Sequence, residues 1–326
     1  MILDKRYIRQ IVKTSSRLVI KVKNNIVYLI TTNDTDSFVI DCPLEGEAVE
    51  FIVDQKKFIG ITNNLEVVNI AMDGDYKIKL WDDNNKFTLA VMTNETAADT
   101  DKPEEHCLAT NLPFKHLLST VADRDQLSSA SVRESIFITS EYMASTNGVS
   151  ITITNEGLDI EDVLIPKSLF NHIEEGSNIS VKGNFVHITK DNKHYYGTSL
   201  YGQFPDVKSI ASKVEYVNHF IVNRDDLLGL LNSCAPLIGD ELKVAEIDIT
   251  NRFELKLEND ISSFESSIPV SNTATFSCSL DVEILKKIIE PFEREDIKIY
   301  FADKTTPIKI EGDNLIKLMI LSYREK

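Results

Sequence analysis

The feature that most restricts this chain is a recurrence. Six segments of helical periodicity, near residues 5–16, 54–64, 113–122, 166–175, 224–233 and 281–290, return at intervals of roughly 50 to 60 residues. Between them apolar and polar residues alternate: N-I-V-Y-L-I at 25–30, Y-K-I-K-L-W at 76–81, I-S-V-K at 179–182, I-D-I-T at 247–250 and I-K-I-Y-F at 297–301. Alternation at period two marks strands with one face buried. Taken in pairs, the segments give three blocks of about 105 to 110 residues, each reading helix, strands, helix, strands, the size of an ordinary domain. The spacing therefore predicts an α+β chain of three like domains, 1–100, 106–213 and 217–326. The acidic run E-T-A-A-D-T-D-K-P-E-E at 95–105, broken by Pro103, reads as the first linker. A second, K-V-E-Y-V-N at 213–218, suits a linker or a strand. Pro113 and Pro166 stand near first helical positions, where a missing N–H is harmless, and Gly176 follows the fourth segment as a stop.

Composition agrees with a globular chain and narrows its partners. The 326 residues are 42% hydrophobic and 26% charged, close to the globular average. Lys and Arg number 35 against 51 Asp and Glu, a formal charge of -16 that repels polyanions at long range, so contact with nucleic acid has to be local. Cys42, Cys107, Cys234 and Cys278 stand far apart without a C-x-x-C, which suggests reduced thiols in a cytoplasm. The N-terminal stretch becomes charged at Asp4, unlike a secretory signal, and no apolar run approaches the 18 or so residues of a membrane span. A cytoplasmic chain without a membrane anchor is expected.

Motifs for chemistry do not stand out. The twelve glycines form neither G-x-x-x-x-G-K-[ST] nor G-x-G-x-x-G, so no phosphate-cradling loop is legible and no cofactor is expected. His106, His116, His172, His187, His194 and His219 lack metal-ligand spacing, so no metal is expected either. Asp82, Asp83, Asn84 and Asn85 offer oxygens, but D-D-N-N between two alternating runs reads as a hairpin turn. No nucleophile has a base at motif spacing, and the chain is read as a non-enzyme.

The first helical segment is different. At 100° per residue Lys5, Arg9 and Lys13 share an arc with Arg6 beside them, and Tyr7, Ile8 and Ile11 fill the other side, with Val12 at the boundary. With Arg17 the segment has five basic residues and no acid after Asp4. One side suits a sheet and the other suits phosphates, although a solvated helix face would look the same. Other segments carry fewer lysines, namely Lys56, Lys57, Lys115, Lys167, Lys286 and Lys287, and Glu174, Glu175, Asp225 and Asp226 dilute them.

Several stretches together carry a likeness to a known family. I-P-K-S-L-F-N-H-I-E-E-G at 165–176, then T-S-L-Y-G-Q-F-P-D-V at 198–207, A-S-T-N-G-V-S at 144–150 and the tail M-I-L-S-Y-R at 319–324 occur in one order. They resemble the second-domain helix, the S-[RK]-L-x-x-G-x-F-P-D-Y strand and turn, the A-T-D-G-H-R turn and the V-V-M-P-M-R terminus of the bacterial DNA sliding clamp. That family is the beta subunit of the replicative DNA polymerase III holoenzyme, and this chain resembles a divergent member over nearly its whole length.

The resemblance implies three clamp domains, each of two βαβββ units, in a homodimeric ring with helices lining the inside and sheets outside. Such a ring encircles duplex DNA without reading sequence and acts as a processivity factor in DNA replication. The expected partners are duplex DNA, a DNA polymerase, an ATP-dependent clamp loader and other proteins bearing a clamp-binding peptide. Carried over as DNA-facing are Lys5, Arg6, Arg9, Lys13, Arg17, Lys56, Lys57 and Lys167, with Arg133 in S-S-A-S-V-R-E-S resembling a loop arginine near DNA. A peptide pocket is implied at Thr146, Gly148, Val149 and Ile151 on one wall and Met319, Ile320, Leu321, Ser322 and Tyr323 on the other. The family's His and Arg are here Val149 and Ser150, and its Met-Pro-Met is Leu321-Ser322-Tyr323, which alters partner specificity. Phe87 and Leu89 in K-F-T-L, with Leu237 and Ile238, are implied at the subunit interface. A clamp of other stoichiometry, a clamp-fold peptide-binding scaffold and, more distantly, a hydrolase with dispersed carboxylates stay open, as does a bacterial, phage or plasmid origin.

Overall fold

The computed structural model describes residues 1–11, 17–23, 25–32, 37–43, 49–92, 107–109, 113–122, 131–239, 243–258 and 262–320. They fall into two compact units, Met1–Thr110 with His172–Ser199, and Asn111–Asn171 with Leu200–Lys326. The first linker expected from sequence, 95–105, lies outside the described residues.

One element order recurs along the chain. The first βαβββ unit is β1 (Ile2–Leu3), α1 (Lys5–Ile8), β2 (Arg17–Lys23), β3 (Ile26–Thr32) and β4 (Ser37–Pro43). The second is β5 (Val49–Asp54), α2 (Gln55–Asn63), β6 (Val68–Met72), β7 (Lys77–Trp81) and β8 (Lys86–Ala90). A third follows as β9 (Cys107–Ala109), α3 (Phe114–Leu118), β10 (Ser135–Ile138), β11 (Met143–Thr146) and β12 (Ser150–Thr154). The fourth is β13 (Val163–Pro166), α4 (Lys167–Phe170), β14 (Ser177–Lys182), β15 (Phe185–Lys190) and β16 (Lys193–Thr198). After an isolated α5 (Val207–Ser212) comes the fifth, β17 (Asn218–Asn223), α6 (Arg224–Ser233), β18 (Val244–Ile249), β19 (Arg252–Glu258) and β20 (Ser263–Pro269), with a two-residue β21 (Ser271–Asn272). The sixth is β22 (Phe276–Asp281), α7 (Val282–Ile289), β23 (Asp296–Phe301), β24 (Ile308–Gly312) and β25 (Leu315–Met319). Strand dominates, as the period-two runs predict.

Each sheet draws on two βαβββ units or more. In the first compact unit the strands order as β1-β6-β7-β8 and as β5-β2-β3-β4-β16-β15-β14-β9. In the second they order as β20-β19-β18-β22 and as β13-β10-β11-β12-β25-β24-β23-β17-β21. All strand pairs within them are antiparallel, including the seams β4 with β16 and β12 with β25. Each seam joins the last strand of an odd-numbered βαβββ unit to the last strand of an even-numbered one.

Sequence chemistry explains the helices and their lengths. Asp281 caps α7 by accepting from Ile284 N–H at 3.0 Å. Its Val282, Leu285, Ile288 and Ile289 are buried at helical spacing, each burial stabilising by about 1.5–3 kcal/mol. Helix α3 stops early because the Ser119 and Thr120 hydroxyls donate to the His116 and Leu117 carbonyls, satisfying groups the helix end leaves open. Helix α4 is a single turn, shorter than the 166–175 periodicity predicts. Leu169, Phe170 and Ile173 are already buried by that turn and the bend after it, and Gly176 at φ +76° redirects the chain into β14. The segment 213–217 carries no strand, β17 starting at Asn218.

Candidate nucleic-acid and partner-binding sites

The described part of the basic segment, residues 5–11, holds one helical turn, Lys5–Ile8, with Ile8 and Ile11 buried, as its apolar side requires. Its cations differ in availability. Lys5 is half-buried, and its Nζ donates to the Leu65 carbonyl at 2.5 Å and the Asn63 carbonyl at 3.4 Å at the C-terminal end of α2. Arg6 is exposed but pairs with the capping Asp4 at 2.6 Å, and that neighbour raises its pKa while lowering the carboxylate's. Arg9 is exposed at the C-cap, and Lys13 lies outside the described residues. Asp4, Lys5, Arg6, Tyr7, Glu66 and Val67 line much of an open cleft of about 540 Å³ with both charge signs on its wall.

Lys56 and Lys57 are exposed in the first turn of α2, whose cap is Asp54 accepting from Lys57 N–H at 2.8 Å. Cations at a helix N-terminus oppose the macrodipole by about 0.3–1 kcal/mol each, so helix stability does not explain them. Arg17 is exposed at the start of β2, and Lys167 is half-buried at the start of α4. In contrast, α6 presents exposed Asp225 and Asp226 in its first turn, where Asn223 Oδ1 accepts from both of their N–H groups.

Arg133 stands in a short 3₁₀ turn (Ser131–Glu134) and is exposed. A Cβ on Gly148 would come 2.8 Å from its guanidinium, so Arg133 lies against the turn that joins β11 to β12. The structure thus brings a residue expected at DNA beside one expected in the peptide pocket.

That turn is self-bonded. Thr146 is buried, its hydroxyl donating to the Ser150 carbonyl at 2.8 Å and accepting from Gly148 N–H at 3.0 Å. Asn147 Oδ1 accepts from the N–H groups of Val149 and Ser150 and from the Ser150 hydroxyl. Gly148 sits at φ +90°, a region that favours glycine. The ladder of β12 with β25 pairs Ser150 with Met319 and extends as Ile320 N–H donates to the Val149 carbonyl at 2.9 Å. Val149 and Ile320 are 39% and 48% exposed, an apolar pair from distant parts of the sequence, while Met319 is wholly buried. Ile151 is half-buried against the cluster that includes Phe204 and Val207. Leu321, Ser322 and Tyr323 lie outside the described residues.

Helix α5 was not expected from periodicity. Asp206 caps it by accepting from Ser209 N–H, Val207 is buried, and Ile210 is 39% exposed. It packs over β12, the strand that carries Ile151. The signal was local: P-D ahead of an apolar residue, with a second apolar residue three positions on.

Phe87 and Leu89 lie on β8, an outer strand of the β1-β6-β7-β8 sheet, Phe87 half-buried and Leu89 buried within its own unit. Leu237 and Ile238 are half-buried, packed on the core formed by β17–β20 and β22–β25 with α6 and α7. D-D-N-N is the β7–β8 turn: Asp82 is buried and accepts from the N–H groups of Glu66, Asn84 and Asn85, which hold its pKa below the usual carboxylate value. Burial pushes the Cys42 and Cys278 thiols up to about 12, against reactivity. Among the described residues no three His, Cys, Asp or Glu side chains group as metal ligands, and no helix is long and apolar enough to cross a membrane.

No family model and no curated protein matches the sequence. Solved structures do match its fold. The DNA polymerase sliding clamp from Bacillus subtilis superposes with a TM-score of 0.86 at 14% identity, over 98% of this chain and 96% of that one. The DNA polymerase III subunit beta from Pseudomonas aeruginosa gives 0.85 at 14% identity, over 98% and 96%. The chain has the sliding-clamp fold. The six βαβββ units of this sliding-clamp fold account for the helix recurrence read from the sequence.

Proposed function

We propose that this chain is a DNA sliding clamp: a homodimeric ring of three-domain subunits that encircles duplex DNA and tethers a replicative polymerase. The observation that carries the reading is a seam used twice and left open once. Strand β4 pairs with β16 and β12 with β25, each joining a four-stranded half-sheet from one pair of βαβββ units to a half-sheet from the next. By the same rule β20 should pair with β8, yet each is the outer strand of its own four-stranded sheet. Unpaired edges of this kind invite a second chain, and a head-to-tail pairing of β20 with another copy's β8 closes a ring. Lys77, Lys79 and Lys86 flank one edge and Glu254, Glu258 and Glu265 the other, although Arg252 and Lys256 share the second and Lys79 and Glu258 already pair with Asp73 and Lys256. Half-buried Phe87, backed by the buried Leu89, and half-buried Leu237 and Ile238 are assigned as the apolar part of that interface.

Domains 1–100, 106–213 and 217–326 are the modules of this ring. Arg9, Lys56 and Lys57 meet phosphates, with Lys5, Arg6, Lys13, Arg17, Lys167 and Arg133 as further DNA-facing positions, and contact is independent of sequence because phosphates carry none. The mechanism is topological, with catalysis left to the tethered polymerase, whose rebinding becomes intramolecular. The wall made by Thr146, Gly148, Val149, Ile151, Met319 and Ile320, continued by Leu321, Ser322 and Tyr323, takes a short extended peptide of the polymerase, of an ATP-dependent loader or of other partners in the bacterial cytoplasm. The altered residues at 149 and 150 make that pocket more apolar than the family pattern.

The net charge of -16 and the acidic first turn of α6 favour a second reading, a clamp-fold scaffold that binds peptides without encircling DNA. Loading onto nicked circular duplex with a loader, followed by linearisation, separates the two. A ring stays on the circle and runs off the linear product. Release that ignores linearisation, or no retention on the circle, rejects the encircling clamp.

A further inference from the structure

At the β12–β25 seam the sequence L-I-K-L-M places a lysine where the strand pattern calls for an inward apolar residue. Lys317 is wholly buried, paired across the sheet with Thr152 on one side and Ile310 on the other. Its Nζ donates to the Ser119 hydroxyl at 3.0 Å and to the Ile288 carbonyl at 2.8 Å, and lies 5.2 Å from the centre of the Phe292 ring. It therefore bridges the C-terminal ends of α3 and α7. Among the described residues no carboxylate is bonded to it. The ionisable groups around it are His116 of α3 and Asp313 of the β24–β25 turn, and Asp313 is already engaged by Arg294 at 3.1 Å, by Glu293 N–H at 3.2 Å and by His116 at 3.5 Å. Lys115 of α3 and Glu283, Lys287 and Glu290 of α7 are exposed, while Lys286 is half-buried.

We propose that Lys317 makes the α3–α7 seam proton-responsive, the seam being tightest with the amine neutral and loosening when the amine takes up a proton. Two hydrogens suffice for the bonds to Ser119 and Ile288, so the neutral amine keeps both while removing an uncompensated buried charge. Burial lowers the lysine from 10.5 to about 7, with Asp313 opposing the shift. His116 is pushed down to about 4, by burial first and by Lys317 second, and so is neutral across the same range. The sign follows from linkage. Between about 7 and 10.5 the opened state binds a proton that the closed state lacks, so the closed state gains on the opened one as pH rises through that window. The inference rests on this cluster alone and stands whether or not the chain encircles DNA.

Hydrogen exchange of the whole chain, corrected for intrinsic rates, tests it. Protection of residues 113–120 and 315–319 should rise up to about tenfold per pH unit above pH 7, and K317M should abolish that rise. The same pH profile in K317M and wild type overturns the proposal. Because the variant can fail on folding, the Lys317 side chain of the wild-type protein should also be titrated by NMR. A midpoint near 7 supports the seam, and a midpoint near that of an ordinary lysine overturns it.

Discussion

Which cations are free to meet phosphate is the sharpest distinction between the structure and the sequence, and it gives a measurable slope. Arg9, Lys56 and Lys57 are exposed, whereas Lys5 is bound to two carbonyls and Arg6 to Asp4. Each phosphate contact contributes about 0.9 to the fall of log K with log salt on duplex DNA. Replacing Arg9, Lys56 and Lys57 by Gln should therefore flatten that slope by nearly 3 in each subunit. Between 50 and 200 mM salt the wild-type affinity should then fall roughly 40-fold more for each subunit in contact, on the order of 2,000-fold more for the dimer, than that of the triple variant. Fluorescence anisotropy of a labelled duplex across a salt series reads this directly. R6Q should change the slope by much less than one, because the guanidinium is shared with a carboxylate, while K5Q should lower the melting temperature more than it alters DNA binding. An unchanged slope in the triple variant, or an equal change in R6Q, refutes the assignment of phosphate contacts to these side chains.

Three further outcomes follow from named contacts. T120V removes a buried hydroxyl that bonds those of Ser145 and Thr152, and should destabilise by about 1–3 kcal/mol in urea unfolding. G148A, strained at φ +90° and crowding Arg133, should lose about 1–3 kcal/mol and weaken binding of an apolar clamp-binding peptide, whereas G74A, with open space at φ +74°, should leave peptide affinity unchanged. D82N should be less stable than wild type at neutral pH, with the difference lost as pH falls below the ordinary Asp value of 3.8, because the folded carboxylate's lowered pKa adds stability only while it is ionised. Thermal melts across pH 2 to 7 would show the two curves converging.

The fold was largely legible because burial imposes periodicity. Strands at 26–32, 77–81, 244–249 and 296–301 and helices α2, α6 and α7 appear where the alternation and the 3.6-residue rhythm put them. Lengths were less legible: α1, α3 and α4 are one turn or little more, and side-chain bonds at Ser119 and Thr120 end α3, and the bend before Gly176 ends α4, sooner than apolar spacing implies. The site was legible only in pieces. Thr146–Ile151 and Met319–Ile320 meet through a ladder between residues more than 160 apart in the chain, which no local pattern reveals. Lys317 is not legible from sequence because L-I-K-L-M has apolar residues on both faces of the strand, and its isolation becomes visible only once α3 and α7 cover it.

The most direct measurement of the central claim is the solution mass and shape of the purified chain, by sedimentation equilibrium with small-angle scattering. The account predicts a particle of twice the 36.8 kDa subunit mass with a central hole, falling to single subunits when Thr88 on the β8 edge is replaced by Pro. A monomer at micromolar concentration, or a dimer without a hole that survives T88P, would contradict it.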